Sequence, residues 1–311
     1  MAGENLIYDY ALKVNIINSV ASADTTFLRK ALVVVAPKVT WVDTDKVIKA
    51  TKTTIGNITD NQNVVEIFNG GVSEILVIAT DNLAGIKDVY EDDLNNFYTI
   101  LVAREFTDAQ IAALDVGNFK GVLFSSSTDI PWASTQAKKR LKGVYYKLEA
   151  NFFYAWGKFL SATEWSNMQY QILLGDDGIV DNADAEILFE SRVSFSLKDS
   201  QSANRLSFFV QGGEAIIAPY VLKEIELRMQ SETVNWIALN RPQYTLVDCA
   251  ILGQYLQNKV INDYVTRGLV SGGSVEITTQ GGQNFMARGT IAIPTPTALW
   301  RVMADFYITN N

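Results

Sequence analysis

Two stretches near the ends of the chain alternate apolar and polar residues with a period of two. A strand places successive side chains on opposite faces, so this period predicts a strand with one apolar face. In "YDYALKVNI" that face consists of Tyr8, Tyr10, Leu12, Val14 and Ile16. In "WRVMADFYIT" it consists of Trp300, Val302, Ala304, Phe306 and Ile308. Each predicted strand pairs either with a sheet of its own chain or with a neighbouring molecule.

Between these stretches, short apolar runs alternate with helical patterns. "KALVVVAP" predicts a buried strand, and the runs "EILVIAT", "YTILVARE", "GVLFSSS" and "GVYYKLE" predict four more. The helical patterns are "TDAQIAALDV", capped by Thr107 or Asp108, and "PWASTQAKKRL", opened by Pro131. A further short helix is predicted near Asp45–Lys49. Strands that alternate with helices favour a mostly parallel sheet.

After residue 150 the pattern becomes helical. Pro219 opens one long helix, and a second begins at the cap Thr245 and stops at Gly268. Its predicted apolar stripe is Leu246, Cys249, Ala250, Gly253, Leu256, Val260 and Tyr264. Its opposite face offers Asn258, Asp263 and Arg267 to solvent or to a partner. "SGGSVEITT" and "ARGTIAIPT" then predict two strands around a glycine-rich turn.

Composition restricts the class of protein. The chain has 311 residues, of which 48% are hydrophobic and 19% charged, as in globular proteins. A net charge of −8 argues against nucleic-acid binding, which needs a positive surface. The sequence contains no apolar run of the roughly 20 residues that span a bilayer, and its opening residues do not resemble a signal peptide. We therefore expect no membrane insertion and assembly in a cytoplasm.

The chemistry available to the chain is narrow. It has no histidine, which removes the commonest general base and the usual zinc sites, and its single cysteine is Cys249. No strand is followed by GxGxxG, and GxxxxGK[ST] is absent. The acidic segment "GDDGIVDNADAE" lacks the ligand order of a calcium loop and fits a turn followed by a capped helix better than a metal site. We predict no enzyme activity, cofactor or metal.

From residue 151 onward, four stretches in order resemble the contractile-tail sheath proteins of bacteriophages. They are "NADAEILFESRVSFSL", "FVQGGEAIIAPYVLKEIELRMQSETVNWIAL", "PQYTLVDCAILGQYLQNKVINDYVTRGLV" and "GTIAIPTPTALWRV". The resemblance implies a mixed α/β (α+β) fold: a compact C-terminal sheath-type domain with helices on a sheet, an insertion-like α/β N-terminal half, and extended terminal strand arms. The corresponding ranges are 1–28 (arm), 29–150 (α/β domain), 151–289 (sheath-type domain) and 290–311 (arm).

The resemblance also implies a function. Sheath subunits stack as six-fold rings around a tail tube, exchange strands through their terminal arms, and contract to drive the tube into the target cell. The implied partners are further copies of the chain, the tube protein, and baseplate and tail-terminator proteins, with the assembly forming part of a virion tail. The predicted arm contacts are the apolar positions of the two terminal strands: Tyr8, Tyr10, Leu12, Val14, Ile16, Trp300, Val302, Phe306 and Ile308. The predicted tube-facing residues are Asn258, Asp263 and Arg267.

Two alternatives remain open at this point. One is a non-catalytic α/β ligand-binding protein. The other is a different tail structural protein, such as a tube or terminator subunit, although tube subunits are usually smaller and mostly β. The sequence does not distinguish a phage sheath from that of a phage-derived bacteriocin or injection system.

Overall fold

The structure, a computed structural model, describes residues 25–86, 89, 97–103, 106–114, 121–137, 142–147, 149–165, 182–198, 204–206, 210–211, 214–242, 245–279 and 287–292. These residues form two compact units. The α/β unit consists of described residues within Arg29–Ile216, and the C-terminal unit of those within Ile217–Pro296, together with 25–28. Most of both predicted arms lies outside the described residues.

A sheet of eight strands forms the α/β unit. The strands are β1 (Ala31–Val35), β2 (Val47–Ala50), β3 (Ile75–Ala79), β4 (Thr99–Val102), β5 (Val122–Ser127), β6 (Lys142–Tyr146), β7 (Ser194–Lys198) and β8 (Asn204–Leu206). Their order is β2-β3-β1-β4-β5-β6-β7-β8, and all neighbours are parallel except the edge strands β2 and β8. All five residues of β1 are buried, as expected for a central parallel strand. The predicted α/β class and parallel sheet are confirmed.

Among its described elements, the same unit also contains five α-helices and a short ribbon. The helices are α1 (Glu66–Asn69), α2 (Asp108–Ala113), α3 (Ile130–Ala137), α4 (Glu149–Ser161) and α5 (Asn182–Glu190), and the ribbon pairs β9 (Val210–Gln211) with β10 (Glu214–Ala215). Thr107, one of the two predicted caps, caps α2 in a capping box with Gln110. This helix therefore begins where the local sequence favours it.

Aromatic side chains of α4 form much of the core beside β5. Phe152, Phe153, Trp156 and Phe159 are completely buried. The Trp156 ring packs edge-on against Phe124 of β5, with ring centroids 5.3 Å apart. Burying one such side chain contributes about 1.5–3 kcal/mol, so this face of α4 is a main source of stability for the unit.

Helix α4 also crosses the end of α1 at a pair of glycines. A Cβ atom added to Gly157 would lie 2.1 Å from the carbonyl oxygen of Ile67, and one added to Gly70 would lie 2.6 Å from the Cα of Gly157. These distances leave no room for a side chain on either residue. The two backbones touch directly because both positions are glycine.

A buried carboxylate joins the start of α4 to two other segments. Glu149 accepts hydrogen bonds from the Nδ2 atoms of Asn61 (3.0 Å) and Asn63 (3.2 Å) and from the Oγ of Ser126 (3.3 Å). A buried charge is tolerated when it is hydrogen-bonded, and a helix N-terminus favours a negative charge. Glu149 thus holds the segment before α1 against β5 and α4.

The predicted short helix at Asp45–Lys49 is wrong, because Val47–Ala50 form the edge strand β2. Asp45 has a φ of 62°, which lies outside the right-handed helical region. Its backbone N–H donates to the carbonyl oxygen of Ala79 (3.0 Å), at the end of β3. The neighbouring strand therefore sets the conformation of this polar segment.

Packing places the border between the units at Ile216, whereas the sequence analysis places it at residue 150. Helix α4 packs on β5 and β6, and β7 extends the sheet beyond β6, with Tyr146 paired to Phe195. The described residues of 151–216 therefore belong to the α/β unit by contact. The predicted division at residue 150 stays a proposal about which residues correspond to the sheath-type domain.

The C-terminal unit contains helices and a two-stranded sheet. Its elements are α6 (Ile217–Asn240), α7 (Leu246–Leu256), a π-helical turn (Gln257–Ile261), α8 (Asn262–Thr266), β11 (Ser274–Thr279) and β12 (Ala287–Ala292). Both predicted long helices and both predicted strands are present. Pro219 lies in the first turn of α6, where a backbone N–H would have no helical acceptor.

Neither a membrane helix nor a metal cluster is found in the described residues. No helix among them has the length and apolar character needed to cross a bilayer. They also hold no group of three or more His, Cys, Asp or Glu side chains placed to bind a metal. In the acidic segment, Asp184 lies in the first turn of α5 and Glu186 in the same helix, whereas Asp176, Asp177 and Asp181 lie outside the described residues.

Candidate interaction surface

The C-terminal unit carries a long helical segment formed by α7, the π-helical turn and α8. The Oγ1 of Thr245 accepts from the backbone N–H of Asp248 (3.1 Å), which caps the start of α7 as predicted. At the other end Gly268 has a φ of 70°, the left-handed conformation that glycine adopts without strain. Both boundaries of the segment were therefore readable from the sequence.

The π-helical turn attaches this segment to the hairpin β11–β12. The Gln257 side chain accepts from the backbone N–H of Val275 (3.1 Å) and donates to the carbonyl oxygen of Gly273 (3.2 Å). Gly253, one turn earlier, faces the backbone of β11 at Val275 and Ile277. The hairpin is thereby fixed on the helix by contacts to its own backbone.

The two edges of the hairpin differ. Gln257 and Gly253 lie against the backbone of β11 at Val275 and Ile277, so the π-helical turn and α7 cover that edge. Among the described residues, β12 pairs with β11 and with no other strand. An unpaired edge strand is a template for further pairing, which makes β12 the candidate edge.

Charged and aromatic residues fasten α8 to α6. Asp263 forms ion pairs with Arg228 and with Arg267 (3.8 Å), and Arg267 also lies 3.8 Å from Glu224. The Tyr264 hydroxyl donates to Glu224 (2.8 Å) beneath the Arg267 guanidinium, which stands 4.9 Å from the tyrosine ring centroid. These contacts form a network between the two helices.

A second tyrosine–glutamate pair joins α7 to α6. The Tyr255 hydroxyl donates to Glu232 (2.6 Å), and this hydrogen bond, with burial, raises the pKa of Tyr255 to about 12. Burial and the charge of Glu224 raise the pKa of Tyr264 as well. Each neutral phenol is therefore favoured in the folded state.

We expect the Tyr255 contribution to stability to be lost at alkaline pH. Because folding raises the pKa from 10.0 to about 12, the contribution is complete below about pH 10 and disappears as the pH rises through about 12. Tyr255→Phe should lower the free energy of unfolding by about 1 kcal/mol at neutral pH and remove this part of the alkaline loss. Urea unfolding at a series of pH values would test this. Equal slopes for variant and wild type above pH 10 would contradict it.

The structure describes three of the predicted site residues. Asn258 is exposed, and its Oδ1 accepts from Asn262 (3.0 Å). Asp263 and Arg267 lie together in the network with α6, which gives them contacts within the subunit. Their orientation toward a tube stays a prediction. The nine predicted arm residues lie outside the described part of the chain: Tyr8, Tyr10, Leu12, Val14, Ile16, Trp300, Val302, Phe306 and Ile308.

The apolar stripe predicted for the second helix is wrong at two positions. Cys249, Gly253, Leu256, Val260 and Tyr264 are buried, whereas Leu246 is 67% exposed and Ala250 is exposed too. Leu246 is the first residue of the helix, one turn before the first buried position. Ala250 follows the buried Cys249 by one residue and therefore lies about 100° around the helix from it. Leu252, not Ala250, completes the buried stripe.

Leu246 and Ala250 belong to an exposed apolar face of α7 that the sequence analysis missed. Val247 is 67% exposed and Ile251 48% exposed, and the spacing of the four residues places them on one side of the helix. The available signal was the excess of apolar residues in "TLVDCAIL", too many for one stripe. This exposed apolar face of α7 (Leu246, Val247, Ala250 and Ile251) is a candidate contact surface.

Comparison with solved structures gives a consistent result. The helical sheath of the anti-feeding prophage in its contracted state matches with a TM-score of 0.66 and 12% identity, over 92% of this chain and 94% of that chain. The contracted sheath of an extracellular contractile injection system, PVC, matches with a TM-score of 0.63 and 11% identity, over 90% and 91%. A sheath tail protein from Desulfitobacterium hafniense matches with a TM-score of 0.53 and 7% identity, over 87% and 97%.

Comparison of the sequence alone gives no match: no family model fits it, and no curated protein resembles it. At identities of 7–12% the structural likeness is evidence about the fold. The chain has the fold of contractile sheath proteins along nearly its whole length. The resemblance noted in the sequence is thus confirmed as a resemblance of fold.

Proposed function

We propose that this chain is the structural subunit of a contractile tail sheath. The observation that carries the proposal is the shared fold with a sheath in its contracted state, over 92% of this chain. The similar structures are sheath proteins, which supports a mechanical rather than a catalytic role. The proposal applies equally to a phage tail and to a phage-derived injection system.

In this proposal the two terminal strands link neighbouring subunits. The alternating stretches at Tyr8–Ile16 and Trp300–Thr309 would add as strands to sheets of adjacent copies. The β12 edge of the β11–β12 sheet supports this role, since strand addition draws its affinity from backbone hydrogen bonds and its register from alternate side chains. The subunits would stack as helically arranged six-fold rings.

We assign the exposed side of the α7–α8 segment to the tube. Asn258 lies on that side, and the exposed apolar face of α7 adds Leu246, Val247 and Ile251 to the surface that the sequence indicated. Apolar side chains that stay exposed on a long helix favour burial against a partner. Asp263 and Arg267 would act mainly by holding α8 on α6.

The proposed cycle is mechanical. Subunits would assemble around the tube in an extended, metastable lattice and rearrange to a lower-energy contracted lattice, driving the tube forward. The arms would keep neighbours connected while the bodies move. Baseplate and tail-terminator proteins would lie at the two ends of the assembly. Assembly would take place in the host cytoplasm.

Electron microscopy of the purified protein tests this function. We expect tubes at high protein concentration. Deleting Met1–Val20, or truncating after Pro296, should leave a folded monomer that forms no tubes, because the linking strands are gone. Circular dichroism melting provides the control for folding. Monomers of the full-length chain under all conditions, or loss of cooperative melting on deletion, would count against the proposal.

A further inference from the structure

Two valines of the α/β unit are almost completely exposed. Val39 is 99% exposed and Val42 is 87% exposed, in the segment between β1 and β2. Among the described residues of this unit, Ile187 is the one other large apolar residue with an exposed side chain, at 47%. Single exposed apolar residues are ordinary on protein surfaces, but both valines of this one short segment are uncovered. We call these two residues the valine tip (Val39 and Val42).

The local chemistry of the valine tip does not explain its residues. The carbonyl oxygen of Lys38 accepts from the backbone N–H of Trp41 (2.8 Å), which closes a turn with Val39 and Thr40 at its central positions. Such positions favour proline, glycine, asparagine, aspartate and serine. A β-branched residue that gains nothing from its own turn, and is not buried, indicates a requirement outside the subunit.

The segment is held in place before any partner binds. The backbone N–H of Lys38 donates to the carbonyl oxygen of Ile58 (2.8 Å), and the Trp41 indole donates to the carbonyl oxygen of Asp43 (3.0 Å). At its far end Asp45 is bonded to Ala79. A contact made by a pre-ordered segment loses little conformational entropy on binding.

The charges around the valine tip are already paired within the unit. Lys38 Nζ lies 3.1 Å from a carboxylate oxygen of Asp60, and Lys46 Nζ lies 2.8 Å from Asp43. Nucleic acid or an acidic membrane would need unpaired positive charge at this place. The chemistry of the tip therefore fits an apolar protein surface.

We infer that the valine tip docks on a neighbouring copy of this chain in the assembled polymer, an inference that rests on the sheath function proposed above. The surface area of two valine side chains is far smaller than the roughly 800 Å² that each partner buries in a stable complex, so these residues cannot hold a free partner alone. A two-fold dimer would need a self-complementary patch, whereas a helical polymer uses different surfaces of each copy. Subunits already linked by arms meet at high effective concentration, where such a weak contact becomes effective.

The double variant Val39→Asp/Val42→Asp tests the inference. The critical concentration for tube formation, measured by sedimentation, should rise at least about tenfold, because the contact would bury two charges. The melting temperature of the monomer should stay unchanged, since both side chains are exposed in the subunit. Thr40→Asp is the matched control, as it adds a charge to the same turn on an exposed polar residue, and its effect should be much smaller.

Photo-crosslinking supplies the second measurement. The only cysteine, Cys249, is buried, so Val39→Cys can be labelled selectively with a benzophenone maleimide. Illumination should link subunits in tubes formed by the full-length chain and should give no adduct in the arm-truncated monomer. Tubes that form at wild-type concentration from the double aspartate variant, with no adduct from position 39, would overturn the inference and leave the sheath function intact. A full-length chain that forms no tubes would overturn both.

Discussion

Gly157→Ala should lower the free energy of unfolding of the α/β unit by about 2 kcal/mol. The added methyl group would lie 2.1 Å from the carbonyl oxygen of Ile67, and backbone atoms cannot rotate away as a side chain can. Overpacking of this kind costs about 1–3 kcal/mol or more, and the better helix propensity of alanine returns at most about 1 kcal/mol. Urea unfolding followed by tryptophan fluorescence would measure the change.

Two further variants define the cause of that loss. Gly70→Ala should destabilise the unit similarly, because its Cβ would meet the Cα of Gly157 at 2.6 Å. Gly56→Ala should be neutral or slightly stabilising, because no atom lies within 4 Å of its Cβ position. A Gly157→Ala protein as stable as the Gly56→Ala control would show that α1 and α4 separate easily.

Phe306→Asp should abolish tube formation. Phe306 lies at the centre of the apolar face predicted for the last strand, beside Val302 and Ile308. Burying a Phe or Ile side chain contributes about 1.5–3 kcal/mol, and each ladder hydrogen bond about 1 kcal/mol net. A buried aspartate would remove the first contribution and add an unpaired charge. Sedimentation and electron microscopy would show monomers only.

The control for this variant is Thr309→Asp, on the opposite face of the same predicted strand. It should assemble normally, and neither substitution should change the melting temperature of the monomer. A Phe306→Asp protein that unfolds as a monomer, while its surviving fraction assembles, would show that the strand pairs within its own subunit. The C-terminal arm would then be rejected.

The elements that the sequence predicted well are those with a local physical cause. The parallel strands β1, β3 and β4 are short runs rich in β-branched residues and largely buried, as in "KALVVVAP", and the helix boundaries coincide with Thr107, Thr245 and Gly268. The error at β2 has the opposite origin. Its polar segment has little preference of its own, and pairing with β3 decides its conformation.

Contacts between distant parts of the chain were beyond prediction. Asn61 and Glu149 are 88 positions apart in the sequence, and neither shows by itself that it will meet the other. The same holds for Gly70 and Gly157. Each must be glycine only because the two backbones approach each other in the fold. A single sequence contains no information on such pairs.

For the candidate surface, the sequence predicted the helix correctly but its exposed side only in part. Asn258 and Arg267 are exposed and Asp263 is half-buried, and the latter two also contact α6. The exposed apolar face of α7 was missed because apolar residues were assumed to be buried. Which side of a helix is covered depends on its neighbours, here β11 and α6, and these are set by the tertiary fold.

The π-helical turn bears on how sequences with this fold can differ in length. One residue advances an α-helix by about 100° and a π-helix by less, so the wide turn at Gln257–Ile261 absorbs one extra residue while Tyr264 and Arg267 still face α6. An insertion or deletion in the regular α-helical part of the segment would instead shift the phase of everything that follows. A sequence with one residue fewer between Thr245 and Gly268 could therefore keep the same contacts to α6 with a regular helix.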